Sequence, residues 1–151
     1  MTARAAALRL LARRRLTEAQ LRARLERRGF DDANVALAVE SVKRDGFLDD
    51  ALFARLFVDG RTKAVGDARL IAELVKRGID RNAAMCSVRE AERPESARLE
   101  AAVAKLFRTR STLSYPGAAR ALERLGFSTP AIYRTLRARA QAEGLALATE
   151  G

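Results

Sequence analysis

The chain has 151 residues, 48% hydrophobic and 32% charged, a balance that excludes a disordered segment and allows one ordinary domain or several very small ones. Aromatic residues make up only 5% and there are three prolines, so with Ala and Leu leading the apolar set the composition favours helix over sheet. The formal net charge is +10, from 25 Arg and four Lys against 19 acidic residues. Contact with phosphate or with an acidic protein groove is the functional reading of that excess, and Arg-rich codon usage is the bland one.

In chain order, a first helix is expected over about residues 4 to 14. Thr17 then opens a second as its N-cap, with Gln20 completing a capping box and Leu16 stapling to Leu21. Its apolar stripe is Leu21 and Leu25, and Gly29 ends it in the left-handed conformation that glycine adopts cheaply. Asp31 caps a third helix with Val35 and Val39 on its buried face. This pattern returns from Gly66 and from Ser114, starts that are 49 and 48 residues apart, and each copy places a glycine twelve positions on, at Gly29, Gly78 and Gly126. In the second copy Val65 staples to Leu70, Leu70 and Leu74 form the stripe, and Asp80 caps a helix buried through Ala84 and Val88. In the third, Leu113 staples to Ala118, Ala118 and Leu122 form the stripe, and Ser128 caps a helix buried through Ile132 and Leu136. A helix also precedes the second and third pairs, over about residues 50 to 62 and 96 to 109.

The period predicts an all-α chain of three tandem three-helix repeats, 1–47, 48–94 and 95–142, with a loose C-terminal tail over 143–151. Units of some 45 residues bury little core alone, so the three are expected to pack in series into an elongated, curved body. The connections are "KRDGFLDD" (43–50) and "AERPES" (91–96), both short and polar.

The adjacent acids Asp49 and Asp50 invite a metal or catalytic reading, which needs a base, a nucleophile or a ligand set. The chain has no histidine, and no third acid stands at useful spacing on that helix. Asp49 is therefore expected as an N-cap, Asp50 as the first helical residue near the positive end of the helix dipole, and Leu48 with Phe53 as the staple. These four residues form a structural joint between the first two repeats. No catalytic residue, metal site or cofactor is expected.

Charge placement carries the binding argument. Residues 1–30 hold nine Arg against two Glu, residues 98–139 hold nine basic residues against two Glu, and residues 31–50 reverse sign. The candidates for contact with a partner or DNA are Arg13, Arg14 and Arg15 at one helix end, then Arg24, Arg27 and Arg28 on one face of the next helix. In the second repeat Arg61, Lys63, Arg69, Lys76 and Arg77 are expected close together across the helical hairpin. The bland alternative for any one of them is a solvated helix surface. Stacking of Tyr115 or Tyr133 on single-stranded DNA is open beside core packing. Cys86, beside Val88, is expected as a small core residue. A lone cysteine makes no internal disulfide, the N-terminus lacks the apolar core of a signal peptide, and no run is long enough to cross a membrane; a cytoplasmic protein is expected.

The stretch "GFLDDALFARLFVDGR" followed by "GDARLIAELVKRGI" resembles the RecX family of bacterial recombinase regulators. The residues that carry this are Gly46, Phe47, Leu48, Asp50, Phe53 and Ala54, then Arg61, Gly66, Arg69, Leu70, Glu73, Leu74, Lys76, Gly78 and Ile79. In "LARRRLTEAQLRARLERRGF" the first repeat is similar too, through Leu11, Ala12, Arg14, Thr17, Glu18, Leu21, Leu25, Gly29 and Phe30. The resemblance spans roughly residues 4 to 139. It departs at Ala118, where the pattern has Leu, and at Pro116 and Gly117 in a first helical turn; the long charged N-terminal extension of some members is also absent. The resemblance implies a non-enzymatic monomer that binds the RecA recombinase filament on DNA and lies in its helical groove. It further implies inhibition of ATP hydrolysis, strand exchange and coprotease activity, with weak binding to single- and double-stranded DNA alone. A stand-alone DNA-binding module built from tandem three-helix units is the alternative.

Overall fold

In the computed structural model residues 1–150 are described, with side chains as far as Gly144. Among the described residues there are nine helices and no strand. They are α1 (Ala3–Arg13), α2 (Glu18–Arg27), α3 (Asp32–Arg44), α4 (Asp50–Asp59), α5 (Asp67–Lys76), α6 (Arg81–Arg89), α7 (Glu95–Thr109), α8 (Tyr115–Arg124) and α9 (Thr129–Glu150). The fold is all-α and is made of tandem three-helix repeats, as the period predicts. The expected loose tail falls mainly on residues whose side chains lie outside the described ones.

Local chemistry starts and stops the helices. Thr17 Oγ1 accepts from the Gln20 amide at 3.1 Å while the Thr17 amide donates to Gln20 Oε1 at 3.0 Å, the expected capping box. Asp31, Asp49, Asp80 and Ser114 cap α3, α4, α6 and α8 in the same way through their side-chain oxygens. After α2, α5 and α8 the chain turns through a paired hydrogen-bond motif. At the end of α5 the Gly78 amide donates to Val75 O at 2.9 Å and the Ile79 amide to Leu74 O at 3.1 Å.

By their contacts the helices divide into two compact units, Met1–Gly60 with Ile71–Arg89, and Arg61–Leu70 with Glu90–Gly151. The division runs through α5 and so through the second repeat. In the first unit Ala6, Ala7 and Leu10 of α1 pack with Leu21 and Leu25 of α2 and Val35, Val39 and Val42 of α3. In the second, Leu99 and Val103 of α7 pack with Ala118 and Leu122 of α8, Phe127, and Ile132 and Leu136 of α9. Ala118 is fully buried. A Cβ on Gly117 would come within 2.9 Å of Leu113 Cδ1, so Leu113 lies over the first turn of α8 and small residues suit it there.

One contact occurs once in each unit. In the first, the N-terminus of α2 sits on the glycine turn that ends α5. Thr17 Oγ1 donates to Arg77 O at 2.6 Å, and a Cβ on Gly78 would overlap Ala19 Cβ. In the second, the N-terminus of α5 sits on the glycine turn that ends α8. The Gly66 amide donates to Leu125 O at 2.8 Å, and a Cβ on Gly66 would overlap the Gly126 carbonyl. Gly78 and Gly126 also have φ of 94° and 89°, so each is constrained both by conformation and by space. Gly29, with φ of 91°, has nothing within 4 Å of a would-be Cβ.

Asp50 adds a link that its own helix does not require: its Oδ1 accepts from the Glu18 amide at 2.8 Å, so it satisfies a donor of α2 while standing first in α4. Burial pushes the Asp50 carboxyl above its ordinary range, against the pull of that amide bond. Arg98 plays a comparable role in the second unit. It is one of the two buried polar or charged side chains among the described residues, the other being Thr17. Its guanidinium donates to Arg93 O at 3.0 Å and to Val65 O at 2.5 Å and pairs with Asp67.

Replacing Gly126 by Ala should therefore destabilise more than replacing Gly29 by Ala. Left-handed backbone costs both about 1–2 kcal/mol, and only Gly126 adds overlap with Arg69, whose amide nitrogen lies 2.7 Å from the would-be Cβ. Equal losses in urea unfolding would contradict the seat. For Arg98→Ala the expected loss is near the low end for breaking a buried ion pair, about 3 kcal/mol, because the Asp67 side chain is 38% exposed and water can take over its solvation. Arg4→Ala removes an ion pair whose partners are 40% and 45% exposed, and should cost less than about 1 kcal/mol. Asp50 gives a pH signature. Its folded pKa lies above the unfolded one, so across the interval between them the folded state holds more protons and stability falls as pH rises. The stability of the native chain relative to Asp50→Asn should thus decrease as pH rises through the ordinary carboxylate range, about pH 4, and above it. An increase over that range in urea unfolding would show that the Glu18 amide outweighs burial.

Candidate functional site

The joint residues are placed as structural parts. Leu48 is buried with the core of the first repeat, and Asp49 Oδ1 accepts from the Leu52 amide at 3.1 Å. Phe53 is half-buried, and its ring stacks on Phe57 with centroids 6.3 Å apart. The Arg77 guanidinium lies over the Phe57 ring, 4.6 Å from its centroid, and donates to Glu73 O at 2.9 Å. Arg77 is thus committed to packing beside the seat of α2. Among the described residues no group of three or more His, Cys, Asp or Glu side chains could hold a metal ion.

The candidate cations separate into groups. Arg13, Arg14 and Arg15 are exposed at the C-terminal end of α1. Arg24, Arg27 and Arg28 at the end of α2 line a shallow pocket of about 410 Å³ with Leu10. Arg24 and Arg27 in the last turn, with Arg28 at the C-cap, also complement the negative end of the helix dipole, so part of their placement is intrinsic to α2. The five cations of the second repeat are divided between the two units. Lys63 and Arg69 line a groove of about 680 Å³ in the second unit, while Lys76 and Arg77 belong to the first unit, Lys76 being exposed. Arg61 is half-buried.

Sequence reasoning missed the rest of that groove. Its wall also carries Arg93 from the α6–α7 connection, Lys105 and Arg108 from α7, and Arg124 from the end of α8. Lys105 and Arg108 stand three apart and share a helix face. The apolar part of the lining is Ala64, Ala101, Ala102 and Ala121 with Leu106 and Leu125. The signal in the sequence was the basic excess of residues 98–139, which marks charge without showing which cations converge. One of them does not: Arg98 is buried and paired, so it takes no part in a surface lobe.

One further expectation changes. Cys86 is exposed, not a core residue. The buried side of α6 is set by Ala84 and Val88, one turn apart, and Cys86 is two residues from each, on the opposite side of the helix. Tyr115 is taken up by packing: its ring meets Phe107 at 5.5 Å between centroids, and its hydroxyl donates to Glu143 Oε2 at 2.6 Å. That bond pushes the Tyr115 hydroxyl pKa up. Tyr133 is 51% exposed. No helix among the described residues is long and apolar enough to cross a membrane.

Known proteins resemble this chain in sequence and in fold. Residues 3–40 match the family model described as RecX, first three-helix domain. Regulatory protein RecX of Thermobifida fusca is 36% identical over a stretch covering 95% of this chain and 81% of that protein. Regulatory protein RecX of Thermus thermophilus is 40% identical, covering 80% of each. The crystal structure of RecX from Lactobacillus salivarius superposes with a TM-score of 0.79 at 19% identity, covering 89% of this chain and 92% of that one; at that identity the likeness is one of fold. With relatives this similar over four-fifths of their length, the chain belongs to the RecX family of regulatory proteins.

Proposed function

We propose that the protein regulates a RecA recombinase by binding the recombinase–DNA filament, and that its main effect is to inhibit ATP hydrolysis, strand exchange and coprotease activity. In this reading it is a non-enzymatic, cytoplasmic monomer that regulates DNA repair and recombination and binds single- and double-stranded DNA weakly by itself. The observation that carries it is the likeness, along almost the whole chain, to relatives named regulatory protein RecX. The chemistry agrees with a filament as partner. Arg24, Arg27 and Arg28 around their pocket, and the cations around the second unit's groove, offer guanidinium and ammonium groups to phosphate or to carboxylates on a protein. The alternative, a stand-alone DNA-binding module, is supported by the same charge and would give steep salt dependence and sequence preference without recombinase.

The test is DNA-dependent RecA ATPase activity measured while the protein is titrated. Inhibition that saturates, with weak binding to DNA alone, is the expected result. Full ATPase activity at saturating protein, alongside tight sequence-selective DNA binding, would favour the alternative. Charge reversal of Arg24, Arg27 and Arg28 to Glu should raise the half-inhibiting concentration on the order of tenfold, about 1.4 kcal/mol, with helicity unchanged. Unaltered inhibition would make that face solvated surface only.

A further inference from the structure

The second unit's groove gathers Lys63, Arg69, Arg93, Lys105, Arg108 and Arg124 from five separate stretches of chain, and among the described residues no carboxylate lines it. Among the described residues the side chains of Lys63, Arg93, Lys105, Arg108 and Arg124 have no acidic partner. Like charges brought to one concavity repel, and for Lys63, Arg93, Lys105, Arg108 and Arg124 no carboxylate among the described residues offsets that repulsion. The arrangement differs from the chain's structural arginines: Arg98 has Asp67 and two carbonyls, Arg4 has Asp45, and Arg77 has the Phe57 ring. A helix-dipole account covers Arg108 and Arg124, which stand in last turns. It does not cover Lys63 or Arg93, which lie in connections outside any helix.

We propose that this groove seats the phosphodiester backbone of a nucleic-acid strand, held by charge and without readout of bases. Four alanines in the lining leave room for a strand to approach, and Thr62 and Thr109 add hydroxyl groups. Among the described residues the lining contains no aromatic side chain, so it offers no stacking platform of the kind that single-strand binders use to hold bases. Asn and Gln, which read adenine edges, are absent from it as well. An acidic protein segment would share the charge complementarity. The lack of a large aromatic anchor, usual at the centre of a protein interface, favours the polyphosphate backbone. This deepens the filament reading and rests on it for its setting, since it names the face of the regulator that meets the nucleic acid.

The test uses the whole chain without recombinase, titrated into a labelled oligo-dT of about 20 nucleotides and followed by fluorescence anisotropy at about 0.1 M salt, where charges more than ~10 Å apart are screened. The groove pair Lys105→Ala with Arg108→Ala should weaken binding on the order of tenfold. It should also make the slope of log affinity against log salt shallower by about 0.7 for each phosphate that is no longer neutralised. The matched pair Arg120→Ala with Arg134→Ala removes the same charge from exposed positions outside the groove and should change affinity by less than about threefold. Oligo-dA should bind about as well as oligo-dT, and an oligo-dT with uncharged methylphosphonate linkages should not bind. Circular dichroism checks that each variant keeps its helicity. Unchanged affinity and slope for the groove pair, an equal loss from the matched pair, or binding of the methylphosphonate strand would overturn the proposal. RecA ATPase inhibition by the unaltered protein is read separately. Its absence counts against the filament reading and leaves the anisotropy result standing, whereas a failed groove pair counts against the groove whatever the ATPase does.

Discussion

Every α-helix begins with amide groups that have no partner inside the helix, and the way this chain satisfies them organises its packing. The cap of α2 and the cap of α5 do more than bond their own first turns. Each also donates to the carbonyl just before a glycine turn, Thr17 to Arg77 and Gly66 to Leu125. The donors are 49 residues apart and the acceptors 48, so the sequence period is also the period of this seat. The two versions use different atoms. Thr17 reaches with its hydroxyl, whereas at residue 66 a side chain would overlap the facing carbonyl, leaving glycine and its own amide to make the bond. A cap that looks weaker in the sequence is therefore the tighter of the two in space.

The arginine excess divides by the same logic of satisfaction. Arg98 is out of water and holds a carboxylate and two carbonyls, so its cost of burial is offset by bonds that link the start of α7 to the start of α5. Arg77 lies on an aromatic face beside the seat of α2. Among the described residues Arg24, Arg27 and Arg28 around the pocket at the end of α2, and Lys63, Arg93, Lys105, Arg108 and Arg124 around the groove of the second unit, have no acidic partner. Net charge alone treats these groups alike. Partnering separates those that maintain the fold from those that carry no carboxylate of their own.

Features that depend on a few neighbouring residues were legible in the sequence. Thr17 with Gln20, Asp31, Asp49, Asp80 and Ser114 are caps because the bonded groups lie two or three residues away. The buried pairs Val35 with Val39, Ala84 with Val88 and Ile132 with Leu136 follow from the helical period. What escaped is set by distant chain. Asp50 was readable as a helix start, but its bond to the Glu18 amide joins residues 32 apart in sequence. Arg98 counts as one more basic residue until Val65 and Asp67 are brought to it. The groove is the clearest case, since Lys63, Arg93, Lys105 and Arg124 lie in separate segments and share no spacing that a periodic pattern would reveal. Cys86 was misplaced for a simpler reason: its apolar neighbours in sequence point to the other side of α6.

The central claim, that cap-on-glycine seats hold the repeats together, is tested most directly by native-state amide exchange at Gly66. If its amide is bonded to Leu125 O in a closed seat, it should exchange only through opening nearly as costly as that of core amides such as Leu122 and Val103. Exchange as fast as that of the exposed connection at Lys63 would contradict the seat, and with it the physical meaning given to the repeat period.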